Sequence, residues 1–392
     1  MGAGLAGVTT AWYLAKEGHE VVVIDREPEV AAAASYANTG IIAASRAYPW
    51  SAGEIGRALR FGPELWLWVM QHLLLRTKGS YRRVFDAKVR LVRYSQQVMR
   101  ELAAEIGFEG FRSGVLYLYR DAGGLDEAWE RSSAMRAMGF AIEMLQPAKV
   151  AELEPGIDAS RLAGALYAPG DEAADAALFC RSLAARCRPL GVSFYLENEI
   201  SAIEPVDVRI REVVTRRGRV RGDAFVCALG VMDRKLREQL GTQVPVYPVK
   251  GFSATVPIVR PEAAPRRAVI DESRCIALAP MGGDLRITGG AEFAGYGKEH
   301  EPRDFAPLYD TVKQLYPGSV DYARARVRAC QRPMTPETTP RFGTGKYQNL
   351  WFNIGLGHMG FAMAAGAARI TSDLVSGRAS PIDLEGLRIR RH

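Results

Sequence analysis

The 392-residue chain is short of the features that would place it across a membrane or outside the cell. No run approaches the ~18 uninterrupted apolar residues of a spanning helix, so none is expected. Cysteine is scarce. Cys180, Cys187, Cys227, Cys275 and Cys330 are five in number, hence odd, and include no Cys-x-x-Cys pair. That usage argues against a disulfide framework and suits free, mostly buried thiols in a reducing compartment. No metal site is expected, no signal peptide is visible, and no repeat or low-complexity tract interrupts the chain. A cytoplasmic location follows as the expectation. What is present is ordinary globular composition, 48% hydrophobic with mixed charge, in a chain too long for one core. Two lobes are expected.

The chain opens on Gly2-Ala3-Gly4-Leu5-Ala6-Gly7. A glycine triplet of this spacing also serves as a plain turn, but here it continues into Ala11 and Leu14 at helical spacing, Gly18, and the run Val21-Val22-Val23-Ile24 closed by Asp25. Glycine turn, helix, glycine stop, buried strand and an acid about 20 residues on make the later part of a βαβ dinucleotide site. Gly2 and Gly4 let the backbone approach a pyrophosphate, and Gly7 lets the helix sit close to the sheet. The helix N–H groups face the phosphates, and Asp25 accepts from ribose hydroxyls. A first strand of about 5 residues normally feeds such a turn. It is missing here, and an N-terminus short of its first strand is the expectation.

Further along, a helical stretch runs from about Glu54 to Gly107, with a strand at 115–119 and helices over 125–138, 148–154 and 174–190. Short strands follow to Val220, then the buried strand 223–230. After Pro245 the pattern is β-rich through Val256, 268–270, 275–278 and 285–288. The chain returns through the strand 350–354 to the turn Gly355-Leu356-Gly357-His358-Met359-Gly360 and a helix to Val375. The organisation is discontinuous. Residues 1–50, 160–245 and 335–392 form a dinucleotide-binding domain, and 51–159 with 246–334 form a substrate domain.

Net charge is +7, and Arg57, Arg60, Arg76, Lys78, Arg82, Arg83, Lys88, Arg90 and Arg93 crowd one region. No nucleic-acid motif accompanies them, so nucleic acid is not an expected partner. Two readings stay open. One is a solvated helical face. The other is docking on an anionic membrane, because Leu65-Trp66-Leu67-Trp68-Val69-Met70 lies beside the arginines.

Several blocks now combine: the opening fingerprint, Ser35-Tyr36-Ala37-Asn38-Thr39-Gly40, Pro245 to Gly251, Arg332-Pro333-Met334-Thr335-Pro336-Glu337-Thr338-Thr339-Pro340, and the last glycine turn. In that order, over nearly the whole chain, they resemble the FAD-dependent D-amino acid dehydrogenase small-subunit family, relatives of D-amino acid oxidase. The resemblance implies an α/β fold: a Rossmann-like FAD domain of the glutathione-reductase type, plus an α+β substrate domain with a mixed or antiparallel sheet. It implies oxidative deamination, with hydride passing from Cα to flavin N5 and the imino acid hydrolysing to a keto acid and ammonia. Electrons would go to a non-oxygen acceptor such as quinone, with possible contact on the inner face of the cell membrane.

The FAD residues it implies are Gly2, Gly4, Leu5, Ala6, Gly7, Asp25 and Arg26, then Ser35, Asn38, Thr39, Gly40 and Ile41, then Gly230, and finally Gly355, Gly357, His358, Met359 and Gly360. Arg332 would clamp the substrate carboxylate, a surface ion pair being the alternative. Tyr48 would line the pocket or simply pack. Cys330 stands near where sarcosine oxidases bond flavin, but a buried thiol and non-covalent FAD are the expectation. Two departures bear on substrate. Asp271-Glu272-Ser273-Arg274-Cys275 lacks the tyrosine that D-amino acid oxidases place there, and the last turn has Leu356, with His358 two residues on, where Gly-His-Gly is common. A D-amino acid or a cyclic imino acid such as proline therefore remains open. An oxygen-using glycine or sarcosine oxidase, or a non-catalytic flavoprotein subunit, is the rival reading.

Overall fold

The computed structural model describes residues 1–49, 62–75, 77–242 and 244–389. Trp50, Arg57, Arg60 and Arg76 lie outside the described residues. A first region stacks helices on short parallel strands. Helix α1 (Leu5–Lys16) is buried along almost its whole length, because small and apolar residues surround it. It packs between α7 (Ala176–Cys187) and α10 (Gly360–Val375), and α10 also lies along the 29-residue α3 (Lys78–Ile106). Gly107, with φ 69°, ends α3 in the left-handed conformation.

Beneath these helices lie two parallel ladders. Strand β1 (Val22–Ile24) pairs β6 (Ser193–Tyr195), and β10 (Phe225–Cys227) pairs β17 (Leu350–Ile354), which continues antiparallel to β16 (Arg341–Thr344). Residues 1 and 2 bridge the ladders. Met1 donates to Val226 O at 2.8 Å and accepts from Ala228 N at 2.9 Å, while Gly2 donates to Ile24 O at 2.8 Å. A separate meander, β7 (Ile200–Val206), β8 (Arg209–Thr215) and β9 (Gly218–Arg221), hangs beside them near α8 (Arg234–Leu240).

The second region is a nine-stranded mixed sheet. Its order is β15 (Arg326–Met334), β11 (Tyr247–Pro257), β14 (Asp284–Glu292), β13 (Ile276–Met281), β12 (Ala268–Asp271), β3 (Arg112–Tyr119), β5 (Gly164–Ala173) and β2 (Ile41–Ile42), with β4 (Glu143–Leu145) on β5. One face carries Leu116, Phe252, Val256, Val269, Leu278 and Ile287 against α6 (Pro147–Leu153) and α9 (Ala306–Leu315). The other face looks toward the first region, Arg286 of β14 donating to Tyr36 O. Helix α4 (Ala122–Arg131) flanks β3 and β5, and α5 (Ser133–Ala137) follows it, with Met135 in the core of the first region. Strand β5 lies in the stretch that the boundary at residue 160 assigns to the dinucleotide domain, yet it is hydrogen-bonded into this sheet. Its buried Asp171 accepts from Ser45 N (2.9 Å), Ser45 Oγ (2.5 Å) and Tyr117 Oη (2.6 Å), which satisfies an acid that otherwise disguises the strand.

Helix α2 (Pro63–Leu74) is amphipathic in an unexpected sense. Trp68, within the run weighed for membrane docking, is fully buried, with Leu65 beside it against Tyr247, Val249, Phe293 and Met334. An indole removes about 200 Å² from water, roughly 5 kcal/mol as an upper figure. Trp66, Leu67, Met70, Leu73 and Leu74 form the exposed apolar side. The basic run is also divided. Lys88 is fully buried, Arg90 donates to Asp383 O and Glu385 O, and Arg93 lies over Phe140, leaving Arg82 and Arg83 in solvent. Among the described residues no helix is long and apolar enough to cross a membrane, and no cluster of His, Cys, Asp or Glu is placed to hold a metal ion.

Candidate active site

The glycine turn owes its shape to contacts that no side chain would permit. Gly2 has φ 103°, and a Cβ on Gly7 would stand 1.8 Å from Gly2 O, so α1 starts hard against the turn. Asp25 braces it, accepting from Ala3 N at 2.5 Å and from Glu27 N at 2.9 Å. Each carboxylate oxygen retains capacity for another donor. Beyond Asp25 a cleft of about 320 Å³ is lined by Arg26, Glu27, Pro28, Glu197, Glu199 and Arg216. Gly230, with φ 69°, lies just past β10, close to where Ala228 abuts Gly2.

Asp121, Asp175 and Asp233 cap α4, α7 and α8 with their side chains. Helices α1 and α10 start at the two glycine turns with no side-chain cap and no acid in the first turn. The glycine cradle and α1, which no residue of its own caps, fit a dinucleotide pyrophosphate, which would supply acceptors to the first-turn N–H groups that Ser35 does not reach.

Ser35 carries the track onward: its Oγ accepts from Leu5 N at 3.1 Å. Asn38 spends its amide inside the loop, donating to Ala34 O (3.1 Å) and Ser35 O (2.8 Å) and accepting from Gly40 N (2.8 Å). Its side chain therefore shapes the loop. Gly40 (φ 67°) passes so close to Ala174 that a Cβ would meet Ala174 O at 1.6 Å. Thr39 is buried, and Ile41 enters β2 opposite Ala173.

Sheet residues clamp this loop from the other side. Arg286 is buried without a carboxylate partner among the described residues; its Nη1 donates to Tyr36 O and, at 3.3 Å, to Asn38 O. The Tyr36 ring has the guanidinium groups of Arg286 and Arg328 at 4.8 and 4.6 Å. Cys330 Sγ contacts Ala37 O at 3.9 Å, and burial pushes its thiol pKa up, so it is held as a neutral thiol.

Arg332, two residues on, has no acid within ion-pair distance among the described residues. Its Nη1 donates to Gly290 O at 2.7 Å, and surrounding protein lowers its pKa, although the residue is only partly buried and still reaches solvent. The strand end then meets the second glycine turn. Met334 bridges to Leu356, Gly357 (φ 63°) leaves only 3.0 Å between a would-be Cβ and Met334 Sδ, and a Cβ on Gly355 would stand 2.4 Å from Thr335 Cγ2. His358 follows in the short turn before Gly360, with Met359 buried. Burial, then Lys88 and Arg332, push the imidazole pKa well down, so His358 is neutral near pH 7. Lys88 Nζ donates to Tyr48 O at 2.8 Å.

The structure thus brings Arg332, Cys330, His358 and the loop 35–41 around one site. Tyr48 shares it through its carbonyl; its ring stacks on Phe85 at 5.7 Å and its hydroxyl donates to Arg131 O at 3.2 Å. Sequence reasoning missed Lys88 and Arg286. Lys88 was detectable, since it lies at helical spacing from Val84, Phe85, Leu91 and Val92 on the buried face of α3. Arg286 carries no such signal.

Comparison with known proteins agrees with this architecture. The family model for FAD dependent oxidoreductases matches residues 1–374. The chain is 36% identical to the D-amino acid dehydrogenase of Granulibacter bethesdensis, covering 100% of this chain and 98% of the relative. Identity to that of Rhizorhabdus wittichii is 38%, covering 100% and 99%. Among solved structures, glycine oxidase from Geobacillus kaustophilus superimposes with a TM-score of 0.81 at 21% identity, covering 100% of this chain and 97% of the other. L-proline dehydrogenase from P. horikoshii gives 0.74 at 19% identity, covering 97% and 93%.

Proposed function

The chain belongs to the FAD-dependent oxidoreductase family, and from that premise we propose that it oxidatively deaminates D-amino acids, as the names of its relatives at 34–38% identity suggest. A D-amino acid, water and an oxidised acceptor give a keto acid, ammonia and the reduced acceptor. FAD supplies the two-electron oxidation of the Cα–N bond. It would be held by the turn Gly2–Gly7, Asp25, Arg26, the loop from Ser35 to Ile41, Gly230 and the turn Gly355–Gly360, without a covalent bond to the neutral thiol of Cys330.

The observation that carries the substrate reading is Arg332, a guanidinium with no carboxylate partner among the described residues, placed between the loop and the last glycine turn. Its unused N–H groups match a carboxylate, and a bidentate pair fixes the substrate's orientation as well as its charge. Arg332 and Lys88 both act on His358, so the site is positive while the imidazole between them is neutral. That field attracts the carboxylate and favours the neutral amine, the form from which Cα–H is removed. Electrons would pass to a non-oxygen acceptor such as a quinone. The exposed side of α2, with Arg82 and Arg83 close by at the start of α3, would rest on an anionic bilayer where such an acceptor is dissolved.

A visible flavin spectrum combined with turnover of a D- and L-amino acid panel, using a dye acceptor or oxygen, tests the proposal. Dye-linked turnover of D-enantiomers is expected. Prompt peroxide formation would refute the dehydrogenase reading, and no turnover of any D-amino acid would refute the substrate class.

A further inference from the structure

We infer that Gly251 is a positioning residue for the carboxylate clamp: it provides the seat that aims the Arg332 guanidinium, and through it sets the preference for substrates bearing a carboxylate. The inference rests on the reading of Arg332 above. Strand β11 runs antiparallel to β15 with Val249 opposite Arg332 and Gly251 opposite Cys330, so residues 251 and 332 are diagonal neighbours on one face. A Cβ at residue 251 would stand 2.4 Å from Nη1, 2.5 Å from Nη2 and 2.6 Å from Cζ of Arg332. The guanidinium occupies the space that any other side chain would fill.

Backbone torsion does not explain the glycine, because Gly251 is absent from the residues with positive φ. Inside a strand glycine is a poor choice on conformational grounds. Its use here is accounted for by the group lying over it. A second glycine completes the seat. Where β11 pairs β14 the register shifts between Lys250 and Phe252, and Gly290 (φ 76°) turns its carbonyl to accept from Nη1 at 2.7 Å. Nη1 is thereby tethered, while Nε and Nη2 keep their hydrogens for a ligand.

Carbon and nitrogen in contact settle near ~3.5 Å, so a methyl group at residue 251 would drive the guanidinium aside by about 1 Å. A misplacement of that size costs on the order of 10²-fold in rate. A larger or charged substitution is unnecessary to test the idea, since the smallest side chain suffices.

The experiment compares parent, Gly251→Ala, Arg332→Gln and the double variant, all as FAD-loaded protein. The probes are the best D-amino acid of the panel and its carboxamide, which keeps the amine and Cα–H but lacks the carboxylate charge. The readouts are the ratio of kcat/KM for acid over amide, the FAD dissociation constant and the thermal midpoint. Gly251→Ala is expected to lower the ratio by roughly 10- to 100-fold with FAD affinity unchanged, and to add nothing once Arg332 is glutamine. If Gly251→Ala keeps the parent's ratio while Arg332→Gln loses it, the seat is refuted and the clamp survives. If Arg332→Gln keeps the ratio, the clamp fails and the seat with it. Should Gly251→Ala fail to fold, the double variant decides: recovery of folding supports a clash with the guanidinium, and equal failure overturns it.

Discussion

The indole Nε1 of Trp68 donates to the carbonyl oxygen of Met334 across 2.9 Å, and both groups are buried. One turn later His72 Nδ1 bonds Pro336 O at 2.7 Å. Helix α2 is thus fastened to the end of the strand that carries Arg332, two residues before Met334. Its opposite side shows Trp66 at 54% and Leu74 at 69% exposure, so one short helix carries both an anchor and an exposed apolar side.

Trp68→Phe keeps a ring but leaves a buried carbonyl without its donor, which costs about 1–3 kcal/mol. Trp66→Gln changes a side chain that is 54% exposed and is expected to stay within about 0.5 kcal/mol. Urea unfolding of the two variants beside the parent checks this. Equal midpoints for both would contradict the anchoring role of Trp68.

Helical period alone separates these two tryptophans. Residues two apart on a helix point to nearly opposite sides, so Trp66 and Trp68 cannot share an interface. The glycine turns were legible because positive φ and close backbone approach leave few other residues possible at Gly2, Gly40 and Gly355. Strand β5 was not. Pro169, Gly170, Asp171 and Glu172 are all depleted in strands, and the acid is satisfied by Ser45 and Tyr117, more than fifty residues from Asp171. Arg332 stood out in sequence only through the block Arg332 to Pro340 that carries the family resemblance. The lack of a carboxylate partner among the described residues, on which its proposed role rests, is encoded by no local pattern.

Replacing Arg332 by glutamine removes the charged fork that we assign to the substrate carboxylate. A loss of about 3 kcal/mol, roughly 10²-fold in kcat/KM, is expected for the D-amino acid. Arg332→Lys restores charge without the two-pronged geometry and should recover only part of the loss. Steady-state kinetics with both variants test this, and full recovery by lysine would argue that charge alone matters.

The cysteines should differ sharply in reactivity. Cys275 is exposed, whereas Cys180, Cys187, Cys227 and Cys330 are buried, and burial pushes the thiol of Cys187 up to about 12 and that of Cys227 to about 11. Under mild iodoacetamide treatment near pH 8, mass spectrometry should find Cys275 alkylated first. Acid precipitation should leave the flavin colour in the supernatant. Colour retained in the pellet of the parent but not of Cys330→Ala would reverse the assignment of that thiol.

The apolar side of α2 predicts binding to vesicles that contain anionic lipid. Trp66, Leu67 and Met70 changed together to polar residues should abolish co-sedimentation while leaving dye-linked turnover in solution intact. Added salt should weaken the parent's binding, because Arg82 and Arg83 contribute through screened charge. Undiminished binding by the triple variant would remove α2 as the contact.

Glu212 offers a test of pH-dependent stability on the β7–β9 meander. Its carboxylate accepts from Arg219 at 2.6 Å and Arg221 at 3.0 Å, with Arg211 at 3.3 Å. Those hydrogen bonds, Arg219 first, lower its pKa from 4.5 to about 2. Because the folded value is depressed below the unfolded one, the contribution is fully present above the unfolded pKa and is lost as pH falls through about 2. Glu212→Gln should therefore be less stable than the parent at neutral pH, and the difference should shrink between pH 4.5 and about 2. The three arginines are solvent-exposed, so the difference should also narrow in high salt. Denaturant titrations across that acidic range measure it, and a gap between parent and variant that does not change with pH would show that the arginines act through packing and not through charge.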